Sequence, residues 1–386
     1  LGSVDFGKAI QEMLKRPNIA SYEFISMQYD HEVQASSVLK PLQGKGRVNG
    51  DATALRPLLG SKRGIVLSSG ITPSYSEIDS YKMAACAIDT AIRAAVAAGA
   101  DPDYLALLDN FCWCSSNEPE RLFQLKEAVR ACYDYAVAYE TPFISGKDSM
   151  FNDFKGYDEE GKPVKISVPP TLLISAIGVV PNVENVISVD VKCAGDLVYV
   201  LGDTNDELGG SEYDSLLYDK SKHSLESRIE HSDILKNVGM SSFAFANGNV
   251  PYVDAKKNKK LYRAFSECAR EGIVASAISV SKGGLAVALC KMAMGGKLGL
   301  NVSLKNLLGN FSNDAAALFS ESQGRIIATI APKDKKRFEQ KLRGTVYACI
   351  GTVTSNEKIV IRSDKKTMKF SLSEILRAYR STFRNY

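Results

Sequence analysis

Residues 104–149 decide the fold, and they contain YLALLDN (104–110), EPERLFQLKEAVRACYDYAVAY (118–139) and PFISGKDS (142–149). The first piece is a short apolar run of the kind that forms a buried strand. The second carries apolar residues on one stripe and predicts a long amphipathic helix. The third begins another strand. Because a helical crossover makes the strands that it joins parallel, this order predicts two parallel strands.

Polar residues follow each of these predicted strands. We expect the first strand to end at Asp109-Asn110 and the second to run into Ser145-Gly146-Lys147-Asp148-Ser149. If the strands are neighbours, their carboxyl ends meet at one edge of the sheet, which is where open α/β sheets bind ligands. The sequence therefore predicts one crevice that both polar segments face.

The segment from Ser145 to Ser149 combines a flexible glycine, a cation, a carboxylate and two hydroxyls. Such a set suits a phosphate or a metal-phosphate ligand. It lacks the spacing of a P-loop, and a polar turn at the end of a strand explains the same residues equally well. Asp109-Asn110 is, taken alone, an ordinary turn former, so its interest comes from the shared edge.

The flanking sequence continues the alternation of helices and strands. Asp79-Ser80 precedes an alanine-rich helix over 81–98, which Gly99 closes. Residues 171–180 predict an apolar strand, and 181–193 predict the join to a second domain. In that domain the predicted strands are 196–201, 274–280, 325–330, 347–353 and 358–362, and the predicted helices are 259–271, 285–294, 334–342 and 371–383.

The composition excludes several classes of protein. The chain has 386 residues, 45% of them apolar and 24% charged, with 29 Gly and 13 Pro, which is typical of a folded protein of about two domains. The net charge of +4 is too small to indicate nucleic-acid binding. No apolar run is long enough to cross a bilayer. We therefore expect neither a nucleic-acid nor a membrane partner.

The ends of the chain and its cysteines indicate a compartment. The sequence starts at Leu1 without a signal peptide or an initiator Met, so we expect a processed product or a fragment. Eight cysteines without paired spacing favour a reducing, cytoplasmic location. Three scattered histidines, His31, His223 and His231, disfavour a zinc site and a catalytic triad, and we interpret His31 as structural.

Three further segments each allow a functional and a structural interpretation. Gly44-Lys45-Gly46 has no strand before it and no helix after it, which favours a mobile loop over a phosphate loop. Gly283-Gly284 precedes a helix, where free amides suit an anion, but close packing of helix and strand explains the same glycines. Ser320 to Arg325 precedes an apolar strand and is either a substrate contact or an exposed strand entry.

Several motifs together resemble phosphoribosylformylglycinamidine synthase, in the C-terminal half of its synthetase component. Each motif is weak alone, but seven in register are specific and extend over nearly the whole chain. They are QYDHEVQ (28–34), VLKPL (38–42), Asp109-Asn110 with Trp113 and Pro119-Glu120, ISGKDSM (144–150) with Asn152, PPTLLIS (169–175), LGGSEY (208–213) and GGLAVAL (283–289).

The resemblance implies a ligase of purine biosynthesis that uses ATP and Mg²⁺. Its substrates would be formylglycinamide ribonucleotide and ammonia from glutamine, and its product formylglycinamidine ribonucleotide. It implies an aminoimidazole ribonucleotide synthetase-like half, with an N-terminal α+β domain whose sheet pairs across a pseudodyad and a C-terminal α/β domain. We expect a leading segment at 1–60 and domains at 61–190 and 191–386. The expected partners are the N-terminal half of the synthase or a second copy of the chain, and a glutaminase subunit or domain.

The matching motifs also imply roles for single residues. Asp109 and Gly146 would bind ATP, and Ser149 would bind the substrate. Lys147 would lie beside Mg²⁺. Because it places a cation where one branch of the family carries Asn, Asp148 is the alternative metal ligand. No catalytic residue is assigned to this chain, since in the family the catalytic histidines and the main Mg²⁺ carboxylates come from the other half.

Two departures from the family concern the pseudo-symmetric site of this half. The His-Asp-x-Ser-Asp-Gly-Gly signature reads ISVSKGG at 278–284, and a helix that often supplies Glu and Asn to metal carries Asp89 and Arg93. A magnesium nucleotide without carboxylate partners is unfavourable, so we expect this site to be free of metal.

Three functions stay open from the sequence. In the first, the chain is one half of an enzyme and contributes residues to a composite active site. In the second, it is a non-catalytic structural half. In the third, it is a stand-alone homodimeric cyclo-ligase-like enzyme. The missing histidine and carboxylates count against the third.

Overall fold

The computed structural model describes residues 5–32, 35–226 and 249–386. The leading part of the chain contains α1 (Phe6–Leu14), α2 (Glu23–Ser26), β1 (Ser37–Leu39), β2 (Leu42–Gln43), β3 (Val48–Asn49) and β4 (Ala52–Leu55). The first large unit continues with β5 (Gly64–Ile71), α3 (Ser80–Ala97), β6 (Leu105–Cys112), α4 (Pro119–Tyr139), β7 (Phe143–Ser149), β8 (Asp153–Tyr157), β9 (Pro163–Ser167) and β10 (Thr171–Val180).

The second unit follows residue 196. Its strands are β11 (Leu197–Leu201), β12 (Thr204–Asn205), β13 (Val274–Ser279), β14 (Gly299–Ser303), β15 (Gly309–Asn310), β16 (Ile326–Ile330), β17 (Tyr347–Thr354), β18 (Lys358–Arg362) and β19 (Thr367–Ser371). Its helices are α5 (Glu212–Glu226), α6 (Ala255–Arg270), α7 (Gly284–Gly296), α8 (Asp314–Phe319), α9 (Lys335–Lys341) and α10 (Leu372–Ser381). Short 3₁₀ turns lie at Gln28–His31, Pro73–Tyr75, Val183–Asn185, Leu304–Asn306 and Pro332–Asp334.

A mixed sheet of order β1-β4-β5-β10-β6-β7 forms the first unit, with α3 and α4 against one face. The Asp79 side chain accepts the amide of Lys82 and caps α3, as the sequence predicts. The many alanines of α3 allow a close approach to the sheet: a Cβ at Gly70 of β5 would lie 2.0 Å from the carbonyl oxygen of Ala87. Glycine is therefore required where helix and strand meet.

The parallel pairing of β6 and β7 is confirmed, with Asp109 opposite Gly146 and Cys112 opposite Ser149. The predicted strand ends are wrong. Asp109-Asn110 lies inside β6, and the segment from Ser145 to Ser149 lies inside β7. The apolar pattern understated both strands because β7 is an edge strand, and the polar residues near an edge do not interrupt its pairing.

The other face of the first sheet carries partly exposed apolar side chains. β10 alternates between buried and half-buried residues along its whole length, so one face packs on the helices and the other does not. We call this second face the open sheet face. It includes Ile65, Leu67, Ile71, Leu173 and Ile177, and Leu67 is 40% exposed.

The second unit is a three-layer arrangement around a sheet of order β13-β16-β11-β17-β14-β18-β19. Tyr199 and Leu201 of β11 pack in the same core as α6 and α9, whereas Val198 and Val200 pack in a core with α1, α7 and α10. The core on the α6 side continues into the first unit. The expected class, an α+β domain followed by an α/β domain, is confirmed.

Candidate functional site

Asp109 and Gly146 form the centre of the candidate site on adjacent strands. A Cβ placed on Gly146 would lie 2.7 Å from Oδ1 of Asp109 and 2.9 Å from Oδ2. The carboxylate therefore lies over the backbone of residue 146, in space that any other residue would fill. A glycine that lets a charged group approach the backbone is typical of a ligand-binding strand.

The surroundings of Asp109 raise its pKa. The main cause is partial burial, and the negative charge of Asp148 adds to it, while a hydrogen bond from the backbone amide of Lys147 acts in the opposite direction. Asp109 also influences the thiol of Cys132 in α4, which places its carboxyl group on the helix side of the sheet. The backbone amide of Lys147 donates to this carboxyl group, whose other lone pairs could accept hydrogen bonds from a ligand.

Lys147 and Ser149 lie on the opposite face of the edge strand. Side chains alternate along a strand, so residues 146 and 149 point to different faces. Nζ of Lys147 contacts Oγ of Ser149. The backbone of Ser149 is fixed, because its carbonyl oxygen accepts bonds of 2.8 Å from the amide of Trp113 and from Nδ2 of Asn152. The predicted single crevice is thus wrong: the two polar segments share an edge but present their side chains on two faces.

These residues do not by themselves form a magnesium site. Within residues 5–32, 35–226 and 249–386, no group of three or more His, Cys, Asp or Glu side chains is arranged to hold a metal ion. Asp109 and Asp148 lie on one face of these two strands, and Lys147 places a positive charge on the other face of the same edge. The donor set therefore fits a phosphate-bearing ligand better than a resident cation.

A second polar site lies between the two units. It is a cavity of about 180 Å³, and its polar lining includes Asp51, Thr90, Ser279, Ser281, Lys282, Lys291, Glu321 and Gln323. Lys291 Nζ lies 3.2 Å from Asp51 Oδ1, a pair distant in sequence. Sequence reasoning missed Asp51 and Lys291, because Asp51 lies in the bend between the short strands β3 and β4 and Lys291 lies inside the apolar helix α7.

Glu321 is the buried carboxylate of this cavity. It accepts the hydroxyl of Tyr75 at 2.5 Å, the amide of Gly283 at 2.8 Å and the amide of Glu212 at 3.0 Å. Burial, and next the charge of Glu212, raise the pKa of Glu321 to about 7. The anion at the start of α7 is therefore the protein's own side chain.

Asp89 and Arg93 form a fully buried ion pair on α3, next to the same cavity. Asp89 also accepts hydrogen bonds from Tyr139, Tyr262, Asn258 and the amide of Gly324. Arg93 donates to Oγ of Ser279 at 2.8 Å, to Oε1 of Gln323 at 3.0 Å and to the carbonyl oxygen of Val280 at 3.0 Å. The pair joins the helices of the first unit to the second unit.

The structure decides between the alternatives for parts of the remaining predicted segments. The idea of an exposed strand entry at 320–325 is wrong, since Ser320 and Arg325 are fully buried. Close packing at Gly284 is confirmed, because a Cβ there would lie 2.6 Å from the carbonyl oxygen of Ser320. Gly44 to Arg47 joins β2 to β3, and Gly46 donates to the carbonyl oxygen of Gly295, so this turn packs against α7 rather than standing free.

His31, the histidine whose side chain the structure describes, lies outside both sites. His31 is partly buried, and its Nε2 accepts the amide of Leu42 at 3.4 Å. Its pKa is lowered by burial and by the nearby Arg47 and Lys40. His231 lies outside the described residues, as does the side chain of His223. No described helix is long and apolar enough to cross a membrane.

Family models match two consecutive parts of the chain. The model described as AIR synthase related protein, N-terminal domain, matches residues 49–180, and that of the C-terminal domain matches residues 194–364. Together the two models extend over most of the chain, in the order expected for a two-domain protein.

The curated relatives share one name, phosphoribosylformylglycinamidine synthase subunit PurL. The chain is 35% identical to that of Methanocaldococcus jannaschii over 95% of its own length and 45% of the relative. It is 31% identical to that of Thermococcus sibiricus over 98% of its own length and 46% of the relative. The chain thus spans about half the length of the curated relatives it matches.

Solved structures show the same fold at low identity. PurL of T. maritima complexed with FGAR matches 97% of this chain and 54% of its own, with a TM-score of 0.69 and 16% identity. The same protein complexed with ATP gives a TM-score of 0.57 at 17% identity, with coverage of 82% and 45%. PurLQS from Thermotoga maritima gives 0.61 at 17% identity, with coverage of 88% and 48%.

Proposed function

Because the chain belongs to the AIR synthase related proteins and is similar to PurL over nearly all of its length, we propose that it acts as the C-terminal half of a phosphoribosylformylglycinamidine synthase. In the reaction, the amide oxygen of formylglycinamide ribonucleotide attacks the γ-phosphate of ATP, and ADP leaves. Ammonia then adds to the activated carbon and displaces phosphate, which gives the amidine.

The observation that carries this proposal is the extent of the similarity in the two chains. Similarity extends over 95% of this chain but 45% of the PurL relative, so a protein of the relatives' size needs a companion half. The candidate site on β6 and β7 is correspondingly partial: it offers a carboxylate, a glycine, a lysine and a serine on an exposed edge, without a metal-binding cluster in the described residues. A composite site would have to include both faces of this edge, with Asp109 and Gly146 on one face and Lys147 and Ser149 on the other, and the companion would supply the remaining groups.

In this composite site, Asp109 would accept hydrogen bonds from the nucleotide, and the bare backbone at Gly146 would admit it. Ser149 would bind the ribonucleotide substrate. Lys147 contacts Ser149 and would neutralise phosphate charge. Asp148 would assist Mg²⁺ at most from the edge, since the main carboxylates for the metal would come from the companion half.

The open sheet face supports a pairing role for the same half. Ile65, Leu67, Ile71, Leu173 and Ile177 form an apolar surface on one side of an otherwise packed sheet. Monomeric proteins rarely leave such a surface uncovered. The companion half would cover it, with a glutaminase subunit as a further partner. If the companion supplied all of the chemistry, this chain would be a non-catalytic scaffold.

A reconstitution experiment tests the proposal. The chain is co-expressed with the part of the Methanocaldococcus jannaschii subunit that it does not match, and ATP hydrolysis is measured with formylglycinamide ribonucleotide and ammonium chloride. We expect turnover that depends on both halves and that Asp109→Ala abolishes. Turnover unchanged by Asp109→Ala would make the chain a scaffold, and no turnover with any combination would overturn the proposal.

A further inference from the structure

The β8–β9 hairpin has one mainly polar face, on which the side chain of Asp153 is buried at the base while Lys155 and Tyr157 are exposed, and one apolar face. Asp153 is 3% exposed and lies 3.7 Å from Lys165 Nζ, and Lys165 also pairs with Glu118 at the start of α4. On the other face, Phe154 is 60% exposed and Ile166 is 62% exposed. A hairpin that served only its own chain would bury its large apolar side chains against that chain, as antiparallel sheets with one solvated face do.

The apolar face is continuous. Phe154 lies directly opposite Ile166, and Gly156 lies opposite Val164. All four share one face because alternate residues of a strand point the same way. A Cβ at Gly156 would lie 2.7 Å from the ring of Phe154, so the glycine lets the ring lie flat along the strand. No charged side chain interrupts this surface.

The hairpin is held in position at its base. The amide of Asn152 donates to the carbonyl oxygen of Trp113 at 3.0 Å, and the amide of Val168 donates to the carbonyl oxygen of Asn152 at 3.0 Å. Trp113 is fully buried. An isolated two-stranded hairpin is marginal in water, so one that exposes its apolar face gains stability from a covering partner.

The position of the hairpin identifies that partner. β8 begins four residues after Ser149, and its five residues extend roughly 17 Å along the chain. A companion that completes the site at Ser149 must lie against the same edge of the sheet, within reach of the hairpin. We propose that the β8–β9 hairpin is a clasp whose apolar face, Phe154, Gly156, Val164 and Ile166, docks on the companion half. This inference rests on the proposed function and adds a contact region beyond the open sheet face.

Binding between the two halves tests the clasp. The chain and the unmatched part of the Methanocaldococcus jannaschii subunit are co-purified, and their Kd is measured by analytical ultracentrifugation for wild type and for Phe154→Ser/Ile166→Ser. We expect the double variant to weaken binding about ten- to a hundredfold, because two apolar side chains no longer lose water on association. The thermal unfolding midpoint of the isolated chain should not fall, since the two side chains are already exposed.

Tyr157→Ser is the matched control. Tyr157 is 76% exposed on the same hairpin but points to the opposite face, so its loss should leave the Kd unchanged. A double variant that binds like wild type, in a complex that still hydrolyses ATP, would overturn the clasp and leave the proposed function standing. A double variant that disrupts only self-association of the chain would assign the surface to a second copy and also overturn it. Failure of the wild-type halves to bind would overturn both proposals.

Discussion

The carboxylate of Asp109 fills the space that a side chain on residue 146 of the neighbouring parallel strand would need: a Cβ on residue 146 would lie 2.7 Å from Oδ1 of Asp109. The two residues pair directly in the register of β6 and β7. The carboxylate and the missing side chain are therefore one structural unit, and each constrains what the other position accepts.

Gly146→Ala should consequently destabilise the chain and abolish ATP turnover of the reconstituted enzyme. The added methyl group would push the Asp109 carboxyl group away from the strand, at a cost of roughly 1–3 kcal/mol. Chemical denaturation measures the loss. In Asp109→Ala/Gly146→Ala the clash is gone, so stability should return while turnover stays absent. Equal losses in the single and the double variant would contradict the proposed contact.

The sequence indicated the parallel pair β6 and β7 correctly, because an apolar strand, an amphipathic helix and a second strand leave little choice of topology. It misplaced the ends of those strands, because the polar residues Asp109 and Lys147 are typical of loops, although Asp109 lies in β6 and Lys147 in the edge strand β7. This error produced the wrong prediction of one crevice. A single added residue in a strand reverses the face, and the apolar pattern does not resolve that in a polar segment.

The cavity between the units was harder to foresee. Its charged residues come from positions as distant as Asp51 and Glu321, and Lys291 lies within an apolar helix. Only the packing of the two units brings them together. Ser320 to Arg325 was noticed because of its polarity, but whether it is exposed depends on the second unit covering it, which no local pattern reports.

Asp89→Asn should cost far more stability than loss of an exposed ion pair. Arg93 would keep its charge in a fully buried position without a carboxylate, which typically costs about 3–5 kcal/mol. Glu160→Gln is the control, since its pair with Lys162 is exposed on both sides and is worth roughly 0–1 kcal/mol. Urea denaturation of both variants gives the comparison. Similar losses would mean that the buried network does not join the two units as described.

Glu321 should make stability fall as the pH rises. Its pKa is about 7 in the folded chain, above the ordinary value of 4.5, so the folded state binds the extra proton between these values. The contribution of Glu321 to the free energy of unfolding is therefore complete below about pH 4.5. It falls by roughly 1–3 kcal/mol as the pH rises through about 7. Denaturation at several pH values from 5 to 8 measures the slope. Glu321→Gln removes the titration and should flatten this slope, whereas an unchanged slope would locate the titrating group elsewhere.

Gly284→Ala and Gly272→Ala separate backbone strain from packing. Both glycines have φ near +66°, so alanine is strained at either position, at a cost of about 1 kcal/mol. At Gly272 nothing lies within 4 Å of an added Cβ, but at Gly284 the Cβ would meet the carbonyl oxygens of Ser320 at 2.6 Å and Leu318 at 2.7 Å. These are backbone atoms that cannot rotate away, so Gly284→Ala should lose roughly 1–3 kcal/mol more than Gly272→Ala. It should also displace Glu321, whose carboxylate accepts the amide of Gly283, and so alter the pH dependence of stability. Equal effects of the two alanines would show that the start of α7 has room to adjust, and that the glycines there serve conformation alone.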